Sequence, residues 1–392
     1  MFHLLGRSVA EIDLDALAHN YHQIRSRVPP RVKILAVVKD NAYGHGAVII
    51  ARELERLGVD LLGVAIAGEG IELRDGGIRK PIVILTGIYE EEIDSVFEYD
   101  LIPMVFDGEI GKSLSDEANR KNRRVKVHLK FDTGMGRLGV SVEGAREFLE
   151  HMKGLPNLVI DGVASHFSMV DEEYTRGQLK AFKGVVELFH REGIRPTYWH
   201  ISSSAPMIDF PDSWFNLIRP GIMVYGSYPN REYVDRIALR PMMRLETAIS
   251  CLKKVPAGTK ISYGGTYITQ RESLIATLPI GYGDGYNRLL SNQGEVLLRA
   301  KRVPVVGRIC MDMTMVDVTD VEDASSGDEV VLMGRQGGDE ITVEEIAEKV
   351  GTISYEVLCG VGKRVPRVYM RGGKPMEAEV YVRREIKERG HS

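Results

Sequence analysis

A lysine stands where a buried strand is expected to end. Lys39 directly follows the apolar run ILAVV at positions 34–38, which is typical of a strand buried on both faces. The loop DNAYGHG at positions 40–46 comes next and contains Tyr43. An amine in such a place can bond covalently to a carbonyl compound, or act as a base once burial lowers its pKa. The position therefore indicates chemistry at the end of this strand.

Later apolar runs also contain, or lead into, charged and polar residues. Lys130 lies in the fifth run, Arg137 lies in the loop after it, and His166 follows the sixth run. His200 lies in the seventh run and Arg219 in the eighth. One such residue would be ordinary, whereas a series of them at the carboxyl ends of strands describes a site.

Two further features indicate phosphate binding after the seventh and eighth runs. Ser204 precedes Pro206, and we expect Ser204 to cap a helix that begins there. After Arg219, we expect Gly221 and Ile222 to offer free backbone N–H groups. Barrel enzymes commonly bind phosphate with these two loops and a helix N-terminus. A lysine across the barrel mouth from such a site suggests covalently held pyridoxal 5′-phosphate.

The elements that would position these residues alternate along the first part of the chain. Apolar runs are separated by amphipathic helical patterns such as AVIIARELERLG, and they occupy residues 32–39, 60–66, 81–87, 102–106, 125–131, 159–165, 197–202 and 215–221. Alternating units predict a parallel sheet in the α/β class, and eight of them predict a closed (β/α)8 TIM-type barrel. An open doubly wound sheet is the alternative.

The pattern changes after residue 235. Short strand-like runs joined by Gly, Pro and Asp turns predict a C-terminal domain that is mainly antiparallel β. Only residues 342–351 look helical, with Thr342 as cap and Glu345 completing a capping box. We therefore predict a barrel over residues 1–235 and a β-rich domain over residues 236–392, with roughly the first ten residues as candidates for the β domain.

Composition narrows the class of partner. The 392 residues carry 51 Lys and Arg against 55 Asp and Glu, a net charge of -4, which gives no electrostatic reason to expect nucleic acid or an anionic membrane. Cys251, Cys310 and Cys359 are widely spaced and suggest neither a disulfide framework nor a metal site. The N-terminus does not resemble a signal peptide, and no apolar run reaches the length of about 18 residues that spans a membrane. We expect a cytoplasmic protein that acts on a small molecule.

Nine motifs, in order and across both predicted domains, resemble alanine racemase. They are AVVKDNAYGHG, DTGMGRLG, SHFSMVDE, HISSSAP, IRPGIMVYG, SYGGTY, GYGDGY, GRICMDMTMVDV and YEVLCGVGKRVPRVY. The resemblance implies a pyridoxal-phosphate isomerase that interconverts L- and D-alanine and supplies D-alanine for peptidoglycan. It also implies a homodimer whose subunits share their active sites.

By this resemblance, Lys39 bonds to the cofactor and serves as a base on one face of the substrate. Tyr263, contributed by the neighbouring subunit, is the acid or base on the opposite face. Arg219 faces the pyridine nitrogen, and because arginine keeps its proton it would leave that nitrogen unprotonated. His166 stacks against the cofactor ring, and His200 supports Arg219.

The remaining roles also come from the resemblance. The phosphate contacts are Tyr43, Ser204, Gly221, Ile222 and Tyr355. Arg137 and the backbone of Met311 contact the substrate carboxylate, with Asp312 nearby. Lys130 corresponds to a lysine that is N-carboxylated in relatives, and we hypothesise the same here, because a carbamate would convert repulsion from Arg137 into a charge-assisted pair.

Other functions stay open from the sequence alone. A serine or broad-specificity racemase fits the departures from the common pattern at Asp40, at Met313 and in the SMV that follows Phe167. A barrel decarboxylase would need a cysteine acid in the β domain, where Cys310 and Cys359 lie. A non-catalytic vitamin carrier would resemble the barrel alone, and the β domain argues against it.

Overall fold

The computed structural model describes residues 8–379, and the chain divides into two compact units. One unit runs from Ala16 to Arg240. The other combines the described residues up to Asp15 with those from Pro241 onward. Residues 1–7 and 380–392, which the two predicted domains include, lie outside the described residues.

The first unit alternates strands and helices. After β1 (Ser8–Asp13), which belongs to the other unit, its elements are α1 (Leu14–Arg27), β2 (Lys33–Val37), a left-handed turn (Lys39–Tyr43), α2 (Ala47–Arg56), β3 (Leu61–Val64), α3 (Ala67–Asp75), β4 (Ile82–Ile84), α4 (Ile93–Glu98), β5 (Leu101–Val105), α5 (Gly108–Arg120), β6 (Val125–Asp132), β7 (Val140–Ser141), α6 (Ala145–Lys153), β8 (Leu158–Ala164), α7 (Glu172–Arg191), β9 (Tyr198–His200), α8 (Ser204–Asp209) and β10 (Leu217–Ile218).

Eight of these strands form one parallel series in the order β10-β2-β3-β4-β5-β6-β8-β9, and the short β7 pairs with β6. At the two ends of the series, the Arg219 N–H donates to Ser202 O at 2.9 Å. The predicted eight-stranded barrel architecture is therefore confirmed. Because all eight strands run in one direction, their carboxyl ends lie on one rim.

Burial follows the expectation for a parallel sheet covered by helices. In β2, the four residues after Lys33 are all buried, so both faces of the strand are covered. None of the helices in the described part of the chain is both long and apolar enough to cross a membrane.

The second unit is mainly antiparallel. From Pro241 onward its elements are β11 (Met243–Ala248), β12 (Cys251–Val255), β13 (Lys260–Ile261), β14 (Tyr267–Ile268), β15 (Ser273–Leu278), β16 (Glu295–Leu298), β17 (Lys301–Pro304), β18 (Thr314–Asp317), β19 (Glu329–Gln336), β20 (Asp339–Ile341), α9 (Val343–Val350), α10 (Ser354–Cys359), β21 (Arg367–Arg371) and β22 (Lys374–Glu379).

Its largest sheet has the order β17-β16-β19-β11-β1-β21-β22, with β20 paired to β19. Strand β1 pairs antiparallel with β11 and parallel with β21, so the start of the described chain lies in this sheet. A three-stranded sheet β12-β15-β18 and the pair β13-β14 complete the unit.

The helices of this unit correct one expectation. Helix α9 is the predicted one, and its cap Thr342 accepts a hydrogen bond from the Glu345 N–H at 3.1 Å. The prediction that it is the only helix of the domain is wrong, because α10 follows. Helix α10 is only six residues long and begins after Ile353, whose side chain cannot cap it, so the sequence carries no start signal.

Candidate active site

Lys39 opens a left-handed turn at the carboxyl end of β2. The three residues after it, Asp40, Asn41 and Ala42, have φ values of 52°, 52° and 54°, and Tyr43 follows at 51°. For L-amino acids this conformation costs roughly 1–2 kcal/mol per residue, somewhat less for Asp and Asn. Four consecutive non-glycine residues in this region mark a backbone that its surroundings hold in place.

Hydrogen bonds to side chains hold this turn. The Glu69 carboxylate accepts from the Asp40 N–H at 2.5 Å and from the Ala65 N–H at 2.6 Å. The Asn41 side-chain oxygen accepts from the Ala47 N–H at 2.9 Å, which ties the turn to the start of α2. The turn is thus anchored both to α2 and to the loop that follows β3.

Three of the predicted phosphate contacts lie together at the ends of β2 and β10. The Ser204 hydroxyl accepts a hydrogen bond from the Gly221 N–H at 3.0 Å. A Cβ placed on Gly221 would lie 2.6 Å from the Tyr43 hydroxyl, so that hydroxyl lies directly against Gly221. The neighbouring Ile222 is buried.

Two details of this cluster differ from expectation. Ser204 is not the cap of α8, because the helix begins at Ser204 and the capping position belongs to Ser203, which makes no side-chain cap. The Gly221 N–H is also not free, because it donates to Ser204. The Ser204 oxygen thus bonds across to the loop after β10 and not to its own helix.

Tyr43 is held by a second tyrosine. The rings of Tyr43 and Tyr225 have centroids 4.8 Å apart, and the Tyr225 hydroxyl donates to Val37 O at 2.8 Å. The aromatic contact thus ties the Tyr43 ring to the last residue of β2.

Arg219 is buried and makes its hydrogen bonds to neutral groups. One terminal nitrogen donates to His200 Nδ1 at 2.7 Å. The other donates to Ser165 O at 2.7 Å, to His166 Nδ1 at 3.1 Å and to Ile201 O at 3.2 Å. Within residues 8–379 no carboxylate forms an ion pair with it. Burial lowers the pKa of Arg219 to about 10, which leaves it a cation at neutral pH.

One member of this network was not predicted from the sequence. His128, on β6, bonds through Nδ1 to His200 Nε2 at 2.9 Å. Burial, followed by the charge of Arg219, lowers the pKa of His166 and of His200 well below the ordinary value; burial also lowers that of His128. A lone histidine in an apolar strand is usually a core residue. His128 and Lys130, however, are two residues apart and therefore share a face of β6, and this spacing could have indicated from the sequence that His128 belongs to the site.

Lys130 is buried at the same rim. Desolvation, followed by the positive charges of Arg219, Arg137 and Lys39, lowers its pKa to about 8, while Asp132 acts in the opposite direction. A lowered pKa leaves a usable fraction of the amine uncharged near neutral pH.

Asp132 explains part of the DTGMGRLG motif. Its carboxylate accepts from the N–H groups of Gly134, Met135 and Gly136 at 2.7–2.9 Å, which fixes the turn leading to Arg137. Arg137 itself is exposed and forms no ion pair with a carboxylate in the part of the chain that the structure describes.

The other predicted residues belong to the second unit. Tyr263 begins a short 3-10 turn and is 71% exposed. Tyr355 lies in α10, and burial raises its pKa to about 12, so it keeps its proton as a donor. Met311 is exposed, and the neighbouring Asp312 accepts a hydrogen bond from Arg364 at 2.7 Å.

The loop that carries Met311 packs against the GYGDGY motif. A Cβ on Gly281 would lie 2.2 Å from Cys310 O and 2.5 Å from Met311 O. Glycine is therefore required there by the close approach of two backbones. Asp284 of the same motif pairs with Arg364 at 2.8 Å, and Arg364 in turn binds Asp312.

Comparisons with known proteins cover both units. The alanine racemase N-terminal domain family matches residues 12–229, and the alanine racemase C-terminal domain family matches residues 242–369. An alanine racemase of Halothermothrix orenii is 46% identical over 92% of this chain and 96% of its own length. Alanine racemase 2 of Caldanaerobacter subterraneus is 43% identical over 98% of this chain and its own full length.

Comparisons with solved structures also give alanine racemases. An alanine racemase of Clostridium difficile superposes with a TM-score of 0.92 at 38% identity, covering 96% of this chain and 99% of the other. An alanine racemase of Bartonella henselae with covalently bound pyridoxal phosphate gives 0.82 at 28% identity, covering 93% and 100%. With two domain families matched in order and relatives this similar over nearly its whole length, the chain belongs to the alanine racemase family.

Proposed function

We propose that this protein interconverts L- and D-alanine with pyridoxal 5′-phosphate as cofactor. The observation that carries the proposal is the charge of the barrel rim. Lys39, Lys130, Arg137 and Arg219 all come from its carboxyl-end side, and the buried Arg219 forms no ion pair with a carboxylate in the described chain. Buried cations without a counter-charge are costly, and an anionic cofactor would supply that charge.

The residues present fit this group. Tyr43, Ser204 and Gly221 form a small polar cradle at the ends of β2 and β10. Although the Ser204 oxygen accepts from Gly221, its O–H remains a donor for a phosphate. Ile222 would add a backbone N–H, and the Tyr355 hydroxyl, which keeps its proton, would be a further donor.

Bound pyridoxal phosphate would acidify the α-proton of the amino acid by withdrawing electrons into its ring. Lys39 would hold the cofactor and move a proton on one face of the substrate α-carbon. Tyr263 would move a proton on the opposite face, because inversion requires removal on one side and return on the other.

Arg219 would donate to the ring nitrogen and keep its own proton, since its pKa of about 10 remains far above that of a pyridine. Its neutral hydrogen-bond partners leave its positive charge uncancelled. His166, which accepts from the same guanidinium, would lie against the ring.

Arg137 and the backbone N–H of Met311 would bind the substrate carboxylate, with Asp312 supporting the Met311 loop through Arg364. We further propose that Lys130 carries a carbamate, formed when its uncharged amine adds to CO2 and releases a proton. The carbamate would pair with Arg137 and remove the repulsion between two cations.

A homodimer with shared active sites completes the proposal. Tyr263 is exposed in the single chain, and so are other large apolar side chains of the second unit, namely Tyr282, Leu289, Met311, Met313 and Ile353. Exposed apolar residues in such number support an interface. We place the enzyme in the cytoplasm, where it would supply D-alanine for peptidoglycan.

The test is chiral analysis after incubation of the purified protein with L-alanine in heavy water. D-alanine with deuterium at the α-carbon is the expected product, and L-serine serves as the parallel substrate. The Y263F variant should bind cofactor as the parent does and lose nearly all turnover. Absence of D-product from both amino acids, or release of CO2 from them, would refute the racemase assignment.

A further inference from the structure

The hydrogen bonds around Arg219 determine which ring nitrogen of His200, and in turn of His128, carries the proton. Arginine has only donors, so His200 Nδ1, at 2.7 Å from its guanidinium, must be an unprotonated acceptor. Neutral His200 therefore carries its proton on Nε2 and donates it to His128 Nδ1 at 2.9 Å. By the same logic, neutral His128 carries its proton on Nε2.

The chain of hydrogen bonds from Arg219 through His200 ends at the Nε2 proton of His128. His128 is fully buried, and its Nε2 has no hydrogen-bond partner in the described residues. A buried N–H without an acceptor costs free energy. The hydrogen bond that His128 makes in this network is therefore the one at Nδ1, to His200.

The surrounding strands are built to admit the His128 ring. Gly162, on the paired strand β8, lies beneath it, and a Cβ at Gly162 would fall 2.6 Å from the ring. Any larger residue at Gly162 would push His128 away from His200. The contact between the two imidazoles thus depends on a small residue at this point of the barrel.

We propose that His128 is a positioning residue for Arg219. By accepting the Nε2 proton of His200, it holds the His200 ring with Nδ1 facing the guanidinium. The guanidinium is then fixed by His200 on one side and by Ser165 O on the other. Its Nε–H and one further N–H, which bond to no group in residues 8–379, are left for an acceptor outside the chain. That this acceptor is the cofactor ring rests on the function proposed above.

The arrangement of protons can be measured without any activity. Long-range proton–nitrogen correlation NMR on histidine-labelled protein identifies which ring nitrogen carries the proton. We expect His128 and His200 both to be neutral with the proton on Nε2, in the enzyme with cofactor and after its removal. A proton on Nδ1 of either residue, or a doubly protonated His128, would overturn the proposal even if the protein is a racemase.

Two variants distinguish the role of His128 as a hydrogen-bond acceptor from its contribution to packing. H128N places an amide oxygen near the position of Nδ1 and keeps an acceptor for His200, whereas H128L fills a similar volume without one. We expect H128L to lower kcat about tenfold, the size of one lost hydrogen-bond partner. The Michaelis constant for alanine should change little, and the visible absorption of the bound cofactor should shift. H128N should stay within roughly threefold of the parent.

The control is thermal unfolding of the cofactor-free proteins, which reports the change in folding stability separately from any effect on the bound cofactor. If H128L retains the parent's kcat and absorption, or if H128N is impaired as strongly as H128L, acceptance by His128 does not position Arg219. Should H128L fail to fold, H128N and the protonation pattern of the parent still decide the question.

Discussion

Replacing Gly221 by alanine should weaken cofactor binding through a single contact. An added Cβ would lie 2.6 Å from the Tyr43 hydroxyl, and the next nearest atoms, at 3.3 and 3.7 Å, are in acceptable or nearly acceptable contact. An ordinary contact with carbon needs about 3.4 Å or more, so the hydroxyl must move by close to 1 Å. A donor in the phosphate site that moves this far leaves the 2.5–3.0 Å range of an O–H···O hydrogen bond.

The expected loss follows from that one bond. Hydrogen bonds to charged groups contribute about 1.5–3 kcal/mol, which corresponds to roughly 10- to 150-fold in the dissociation constant of pyridoxal phosphate. Titration of the cofactor-free protein, followed by visible absorption, measures it directly. At saturating cofactor, kcat should fall much less than affinity, because Arg219 and Lys39 are untouched by the new methyl group.

A double-mutant cycle makes the reasoning refutable. Y43F removes the hydroxyl that the methyl group would strike, so adding G221A to Y43F should cost little more. The matched control is G184A on α7, where a Cβ meets nothing within 4 Å and where alanine favours the helix. Unchanged affinity in G221A, or an equal effect of G221A with and without the Tyr43 hydroxyl, would show that this contact does not govern phosphate binding.

Two further predictions concern other parts of the site. With its pKa near 8, Lys130 should have roughly a quarter of its amine uncharged at about pH 7.5 and only a few per cent at about pH 6.5. At a fixed CO2 pressure, the labelled carbamate detected by carbon-13 NMR should therefore increase with pH over this range and be absent from K130R. A carbamate signal that does not change with pH would contradict this prediction. G281A should displace the Met311 backbone, which a Cβ would approach to 2.5 Å, and raise the Michaelis constant for alanine about tenfold with cofactor affinity unchanged, whereas an unchanged Michaelis constant would separate Met311 from carboxylate binding.

Much of this fold could be predicted from the sequence because each barrel strand lies in a short apolar run bounded by turns. The strands β9 and β10 are only three and two residues long, yet each lies within a longer predicted run, residues 197–202 and 215–221. Helix α10 was not readable, since six residues with no capping side chain carry too little periodicity. Local pattern thus finds elements that bury a face and misses those fixed by neighbours.

Within the site, the sequence indicated which residues belong to it better than it indicated which hydrogen bonds they make. A strand-end lysine and a buried arginine are unusual enough to be noticed from sequence. The partner of the Ser204 hydroxyl was not predictable, because a serine before a helix has a local use as a cap and Gly221 lies 17 positions away. His128 was overlooked for a related reason: its role exists only through His200, on a different strand.

The left-handed turn after Lys39 shows why backbone strain is concentrated here. In the function proposed above, Lys39 bonds reversibly to the cofactor, so its side chain would have to move during each cycle and could not be fixed by tight packing. Its position has to be set by the backbone instead. Four consecutive non-glycine residues at positive φ would cost on the order of several kcal/mol alone, and the bonds from Glu69 and Asn41 to backbone N–H groups offset part of that cost. Asp and Asn are also among the residues that tolerate this conformation best, which accounts for Asp40 and Asn41 next to the lysine.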